Sequence, residues 1–137
     1  MIFQMKKIKK IKIKSYSKSN GKLIPISFKK EFPLKIKRIF LIRGIKNKTR
    51  GKHAHKKCSQ IFLPIQGKIS LKIKTPKQNK KILLNPNENS AIIVPPKYWC
   101  EVKFIEKNSV IMVLCDQYYD RNDYIKKFDN YKKYMSK

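Results

Sequence analysis

The feature that most constrains this chain is its punctuation. Short apolar or alternating runs recur at Ile8–Ile13, Leu23–Phe28, Ile36–Ile42, Gln60–Ile65, Lys68–Lys74, Lys81–Leu84, Ala91–Val94, Cys100–Ile105 and Val110–Leu114, and each is cut off by turn-forming residues such as Ser19-Asn20-Gly21, Gln66-Gly67, Asn85-Pro86-Asn87 and Pro95-Pro96. Runs this short leave no room for a helix of ordinary length, and their regular spacing predicts an all-β sandwich or small barrel. Only the end reads differently. After Asp120, the apolar residues Tyr124, Ile125, Phe128, Tyr131 and Tyr134 recur near a period of 3.6, which predicts a short C-terminal helix with Asp120 and Asp123 as its cap pair. With 137 residues and neither a repeat nor a Gly/Ser linker, residues 1–137 form a single domain.

Charge comes next, because the chain carries 35 Lys and Arg against 8 Asp and Glu, a formal +27. An apolar content of 41% is that of a folding chain, so the charge sits on a folded surface. Residues 1–57 hold twenty of the basic residues and one acid, Glu31, which suggests a polyanionic partner. A nucleic-acid-binding β-barrel is one candidate, but it needs basic residues gathered around exposed aromatics, and here Lys is scattered along the entire chain. No apolar stretch is long enough to span a bilayer, so no membrane partner is expected. Met1–Lys14 is interrupted by six lysines and offers no signal-peptide h-region. Cys58, Cys100 and Cys115 are an odd set without CxxC spacing, which fits reduced thiols in the cytoplasm.

The chemistry concentrates in Arg50-Gly51-Lys52-His53-Ala54-His55, which contains the chain's two histidines. Residues two apart on a strand share a face, so both imidazoles point into one space as metal ligands or as proton carriers. His-x-His followed by Gln60 and Gly67 resembles the first motif of the cupin superfamily, a double-stranded jelly roll, and Pro95-Pro96-Lys97-Tyr98-Trp99-Cys100 is similar to its second, Pro-x-Gly-x-x-His. Metal-binding cupins use both histidines, the acidic residue of the first motif and the histidine of the second. Gln60 and Cys100 stand at the last two positions here. A neutral amide and a thiol make a poor site for a hard divalent ion, although two His and one Cys could hold zinc. The expectation is no metal and no cofactor, with a metal-dependent cupin or a sugar-binding regulator as the other readings.

Within that superfamily the chain resembles the TDP-4-keto-6-deoxyhexose 3,4-ketoisomerases. The likeness rests on Ile36 to Phe40, on Arg50-Gly51-x-His53-Ala54-His55-Lys56-Lys57, on Gln60 and Trp99, and on the tail Tyr118-Tyr119-Asp120-x-x-Asp123-Tyr124-Ile125-x-x-Phe128-Asp129-Asn130-Tyr131. The family has an Arg-Gly pair where Asn20-Gly21 stands and a His where Cys100 stands. The resemblance implies an isomerase that moves a ketone from C4 to C3 of TDP-4-keto-6-deoxyglucose through an enediol, on the way to TDP-linked 3-amino-3,6-dideoxy sugars, and that works as a homodimer. It implies two histidines sharing the proton transfers; spacing does not say which is the base, and His55 is taken for carbon-proton removal with His53 as the shuttle. Arg38 and Arg50 are expected on the pyrophosphate, with Lys22, Gln60, Trp99 and Cys100 completing the substrate site. The cations Arg50, Lys52, Lys56 and Lys57 crowd the imidazoles and should keep them neutral.

Overall fold

The computed structural model describes residues 5–137; Met1 to Gln4, the start of the Lys-interrupted segment, lie outside the described residues. The strands are β1 (Lys9–Lys12), β2 (Tyr16–Lys18), β3 (Gly21–Leu23), β4 (Arg38–Arg43), β5 (Thr49–His55), β6 (Gln60–Gln66), β7 (Ile69–Lys74), β8 (Asn79–Leu84), β9 (Ser90–Val94), β10 (Trp99–Phe104), β11 (Val110–Cys115) and β12 (Tyr124–Ile125), followed by one helix, α1 (Phe128–Met135). Ten of them form two five-stranded sheets, ordered β1-β9-β6-β11-β4 and β12-β5-β10-β7-β8, and every pairing is antiparallel. This is the all-β sandwich expected from the punctuation, in the jelly-roll form that the cupin resemblance implies.

Alternation along each strand decides which side chains meet. On β6, Phe62 enters the core between the sheets, whereas Ile61 and Leu63 face outward. Phe62 is joined there by Leu71, Ile73, Val102, Phe104, Ile111 and Val113 from both sheets. Each such side chain contributes roughly 1.5–3 kcal/mol by leaving water. The outer faces are also covered. Residues Ile26, Phe32, Leu34 and Ile36 pack across Ile61, Leu63, Ala91, Ile93 and Leu114 of the first sheet. Helix α1 covers the second sheet, with Tyr131 fully buried against Ala54, Trp99 and Ile125.

Two expected elements differ from the fold. The run Leu23–Phe28 is not one strand: only Gly21–Leu23 pairs, in a hairpin with Tyr16–Lys18. Pro25 has no N–H for a ladder, and the apolar residues beyond it gain more by lying on the first sheet's outer face. The helix begins at Phe128, not after Asp120. Asp120 does cap, accepting from the Asn122 N–H at 2.9 Å, but it caps a single 3-10 turn over Arg121–Asp123. Tyr124 and Ile125 then pair with His55 and Ala54 of β5, so the 3.6-residue periodicity there coincides with a strand edge.

Two local distortions position β5, the strand that carries both histidines. Between the pairs Cys100↔His53 and Val102↔Arg50, β5 carries one residue more than β10, a bulge at Gly51-Lys52. The extra residue puts Arg50, three positions before His53, on the same inward face as both histidines. Gly51 has φ +85°, a left-handed conformation that an L side chain adopts only with strain, although nothing within 3.8 Å would block a Cβ. The second distortion is the turn before β10. Lys97 takes φ +74° at the position where the cupin motif has glycine, and its N–H donates to the His55 carbonyl at 2.7 Å. The second motif thereby holds the end of the first.

Candidate active site

A cavity of about 420 Å³ opens between the sheets, with His53, Arg38, Arg50 and Gln60 on its polar side and Phe40, Phe62, Val102 and Val113 on its apolar side. Cys100, Tyr119 and Tyr124 complete the wall. The inward faces of β4, β5, β6 and β10 supply most of these residues, so ordinary strand alternation builds the site. Of the sequence-derived residues, His53, Arg38, Arg50, Gln60 and Cys100 come together here.

His55 lies just behind His53, the two rings edge-to-face with centroids 5.0 Å apart. It is 4% exposed and does not form part of the cavity wall. Its Nδ1 is 2.8 Å from Asp123 Oδ2, and the same carboxylate accepts the backbone N–H groups of Lys57 (2.6 Å) and Cys58 (3.3 Å). A carboxylate already receiving two amides acts as the acceptor for the third contact as well. Nδ1 of His55 therefore carries the hydrogen, and Nε2, which is buried and has no partner, keeps its lone pair. Burial lowers the pKa of His55, with Asp123 working against that shift. For His53 burial is again the largest cause, reinforced by His55, Lys126 and Arg38, and together they bring it down to about 4. Both imidazoles are neutral at pH 7. Desolvation is the main reason, and the cations responsible are Arg38 and Lys126, not the Arg50, Lys52, Lys56 and Lys57 expected from sequence proximity.

Arg38 is held without a carboxylate. Its Nη2 donates to Tyr124 Oη at 3.3 Å and to Cys115 Sγ at 3.6 Å, its guanidinium lies 5.5 Å from the Phe40 and Tyr119 ring centroids, and its Nε is buried with no partner. A guanidinium with such weak counter-charges keeps most of its electrostatic pull for an anion in the cavity. Cys115 also accepts from Gln60 Nε2 at 3.7 Å. Hydrogen bonds from Cys58, Gln60 and Arg38 draw its thiol below the usual range, and Cys58 rises in answer.

The structure leaves two expected residues away from this cavity. Lys22 sits on the exposed β3 hairpin strand. Trp99 points to the other side of its sheet, where its ring packs on Phe128 and Tyr131 and its Nε1 donates to Glu101 at 2.9 Å. Alternation explains this: Cys100 faces inward, so its neighbour must face α1. Conversely, three residues that the sequence does not point to as site residues meet it here: Tyr124 lines the cavity, Asp123 holds His55, and Cys115 accepts from Arg38 and Gln60.

The donor set does not fit a metal. Among the described residues, the two histidines and Cys100, the set that could have held zinc, do not bring their donor atoms close enough together to share one ion. Among the described residues, the group of His, Cys, Asp or Glu close enough to share an ion is His55, Cys58 and Asp123, with donor atoms within 4.8 Å of one another. In that group the Nδ1–Oδ2 hydrogen bond is already closed and Asp123 is committed to two amides. Nor is any helix among the described residues long and apolar enough to cross a membrane.

Comparison with known proteins agrees with this geometry. The TDP-4-oxo-6-deoxy-alpha-D-glucose-3,4-oxoisomerase of Aneurinibacillus thermoaerophilus is 35% identical over 130 residues, covering 94% of this chain and 93% of that protein. A crystal structure of a histidine-to-asparagine mutant of the 3,4-ketoisomerase QdtA from Thermoanaerobacterium thermosaccharolyticum, in complex with TDP-4-keto-6-deoxyglucose, superposes with a TM-score of 0.88 at 31% identity, over 97% of this chain and 96% of that one. The rmlC epimerase of Mycobacterium tuberculosis, 14% identical with a TM-score of 0.74 over 87% of this chain and 68% of its own, shares the fold alone. The model of the FdtA family (WxcM-like, C-terminal) matches residues 4–136, and this cupin-type chain belongs to that family.

Proposed function

We propose that this sugar 3,4-ketoisomerase takes TDP-4-keto-6-deoxyglucose into the cavity and moves its carbonyl from C4 to C3, with His53 as the base at carbon. The observation that carries the reading is a neutral imidazole on the wall of a cavity that also holds two guanidinium groups, Arg38 and Arg50. The adjacent carbonyl acidifies the C3 proton; His53 removes it, an enediol forms, and the same imidazole returns a proton to C4. Arg50, exposed at the mouth, suits the pyrophosphate. Arg38, deeper, suits the oxygen on which charge develops. This moves the carbon base from the expected His55 to His53, because His53 is the residue on the wall, while His55 lies behind it on Asp123. The anionic Asp123 offsets the positive charge that His53 acquires during the reaction. The expected result is conversion of TDP-4-keto-6-deoxyglucose to the 3-keto sugar by purified protein, followed by NMR, with activity unchanged by chelators. An unaltered substrate spectrum after prolonged incubation overturns the reading.

The same proposal includes a homodimer. Strand β4 is a sheet edge whose outward residues Ile39 and Leu41 are 48% and 58% exposed, and an unpaired edge with apolar side chains favours pairing with a second copy. Light scattering at micromolar concentration should give twice the 16.3 kDa chain mass; a monomer at that concentration rejects the dimer.

A further inference from the structure

A guanidinium helps a developing oxyanion only where it is already aimed when the charge appears. Arg38 is the deeper of the two guanidinium groups in the cavity, and its direction depends on a neighbour outside the cavity wall. In the sheet order β6-β11-β4, Cys115 pairs with Arg38 on one side and with Gln60 on the other. Three inward residues of adjacent strands therefore stand abreast, about 4.8 Å from one strand to the next, with the sulfur in the middle.

We propose that Cys115 is a positioning residue for the isomerisation: its sulfur, braced by Gln60, aims the Arg38 guanidinium at the substrate oxygen on which charge develops. This inference rests on the isomerase reading above and deepens it. Arg38 Nη2 has two hydrogens and two acceptors, Cys115 Sγ at 3.6 Å and Tyr124 Oη at 3.3 Å. Two fixed acceptors on one nitrogen set the plane of the whole fork, whereas a single one leaves a hinge about which it swings. Gln60 Nε2 donates to the same sulfur from the opposite flank at 3.7 Å. Cys115 is also fully buried, so the sulfur cannot follow a moving guanidinium.

Sulfur suits this task chemically. A carboxylate in the same place would hold Arg38 more tightly but would also spend its charge on a buried ion pair. A large, polarizable sulfur makes long, weak bonds to N–H, so it fixes direction and leaves the field for the substrate. An aliphatic side chain would pack there and hold nothing. Cys115 takes no proton and makes no bond in the reaction. Its effect reaches the sugar only through Arg38.

Cys115→Ala and Cys115→Ser test this as a pair, because Ala and Ser are nearly equal in volume and leave the same small cavity, while only Ser offers an acceptor. Cys115→Ala should lower kcat on TDP-4-keto-6-deoxyglucose by about 10- to 100-fold, the scale of a group misplaced by about 1 Å, with KM and TDP affinity within about threefold of the unmodified protein. Retained TDP affinity also establishes that the variant folds. Cys115→Ser should keep kcat within about threefold of the unmodified protein. A serine variant as slow as the alanine variant gives the sulfur a packing role and overturns the proposal, as does a full-speed Cys115→Ala or a loss confined to KM. In an Arg38→Ala background, Cys115→Ala should bring no further loss, since the sulfur acts through the guanidinium; losses that multiply overturn the proposal. If the alanine variant does not fold, Cys115→Val and Cys115→Thr pose the same comparison with the space filled, and equal turnover of those two overturns the role. An unmodified protein that leaves the sugar unchanged removes the isomerase reading and this inference together, whereas an active one with an equally active Cys115→Ala removes the inference alone.

Discussion

Replacing His53 with asparagine should leave a folded protein whose turnover of TDP-4-keto-6-deoxyglucose falls by ~10³-fold or more, within the range lost with a positioned acid–base group. Asparagine preserves the approximate size and polarity of the imidazole but has no lone pair basic enough to take a proton from carbon. Exchange of solvent deuterium into C3 should stop as well, because exchange needs only the first half of the reaction. If exchange persists in His53→Asn and disappears in His55→Asn, the base at carbon is His55. The pH profile of the unmodified protein gives an independent check. Neutral His53 is the active form, and burial, His55, Lys126 and Arg38 lower its pKa to about 4. The kcat/KM of the free enzyme should therefore hold through pH 6.5, where an ordinary histidine protonates, and fall only as pH approaches about 4. Stability runs on a different window. Between those two values the unfolded chain binds a proton at His53 that the folded chain refuses, so stability declines as pH falls through 6.5 while the imidazole remains competent.

A base with so low a pKa in the empty site is weak, and the substrate supplies the correction. The charge growing on the enediol oxygen offsets Arg38, one of the cations that now depress His53, and favours imidazolium beside it. Arg38 has no carboxylate partner, only Tyr124 Oη and Cys115 Sγ, so little of its field is spent before substrate arrives. The site is thus arranged so that the base strengthens as the reaction proceeds.

How much of this was legible in the sequence follows from the range of each interaction. Strand alternation is local, so the inward pair His53 and His55, and the inward Gln60 and Cys100, could be read from spacing. Arg50 required the bulge at Gly51-Lys52: strict alternation puts it on the face opposite His53, and only a glycine at φ +85° hints that the count changes. Trp99 was misplaced because adjacency to an inward residue on a strand means the opposite face. Asp123 and Tyr124 were missed for a different reason. Their spacing from Phe128 and Tyr131 matches a helix, and nothing local reveals that β5, some 70 residues earlier, leaves an edge for Tyr124 and Ile125 to fill. The Asp123 carboxylate is spent on a histidine and two amides, and α1 starts after Lys127 with no side-chain cap.

Asp123 is therefore where the second large effect is expected, and it should appear in both stability and rate. The carboxylate receives three hydrogen bonds, from His55 Nδ1–H and from the Lys57 and Cys58 amides, in a side chain only 9% exposed. Asp123→Asn leaves one oxygen to accept and turns an NH2 group against the remaining donors. At least one buried donor then goes unpaired, at a cost of about 1–3 kcal/mol, and the melting temperature drops accordingly. The anion that fixed the His55 tautomer and offset charge on His53 is gone, so kcat should fall on the order of 10²-fold even at temperatures where the variant is fully folded. Asp120→Asn is the matched control: the residue caps an exposed turn through a single N–H, which asparagine can serve equally well, and neither quantity should move appreciably. Equal behaviour of the two variants would mean that Asp123 acts only as a turn residue. A rate loss confined to Asp123→Asn, measured below its melting transition, ties the deficit to the imidazole it holds.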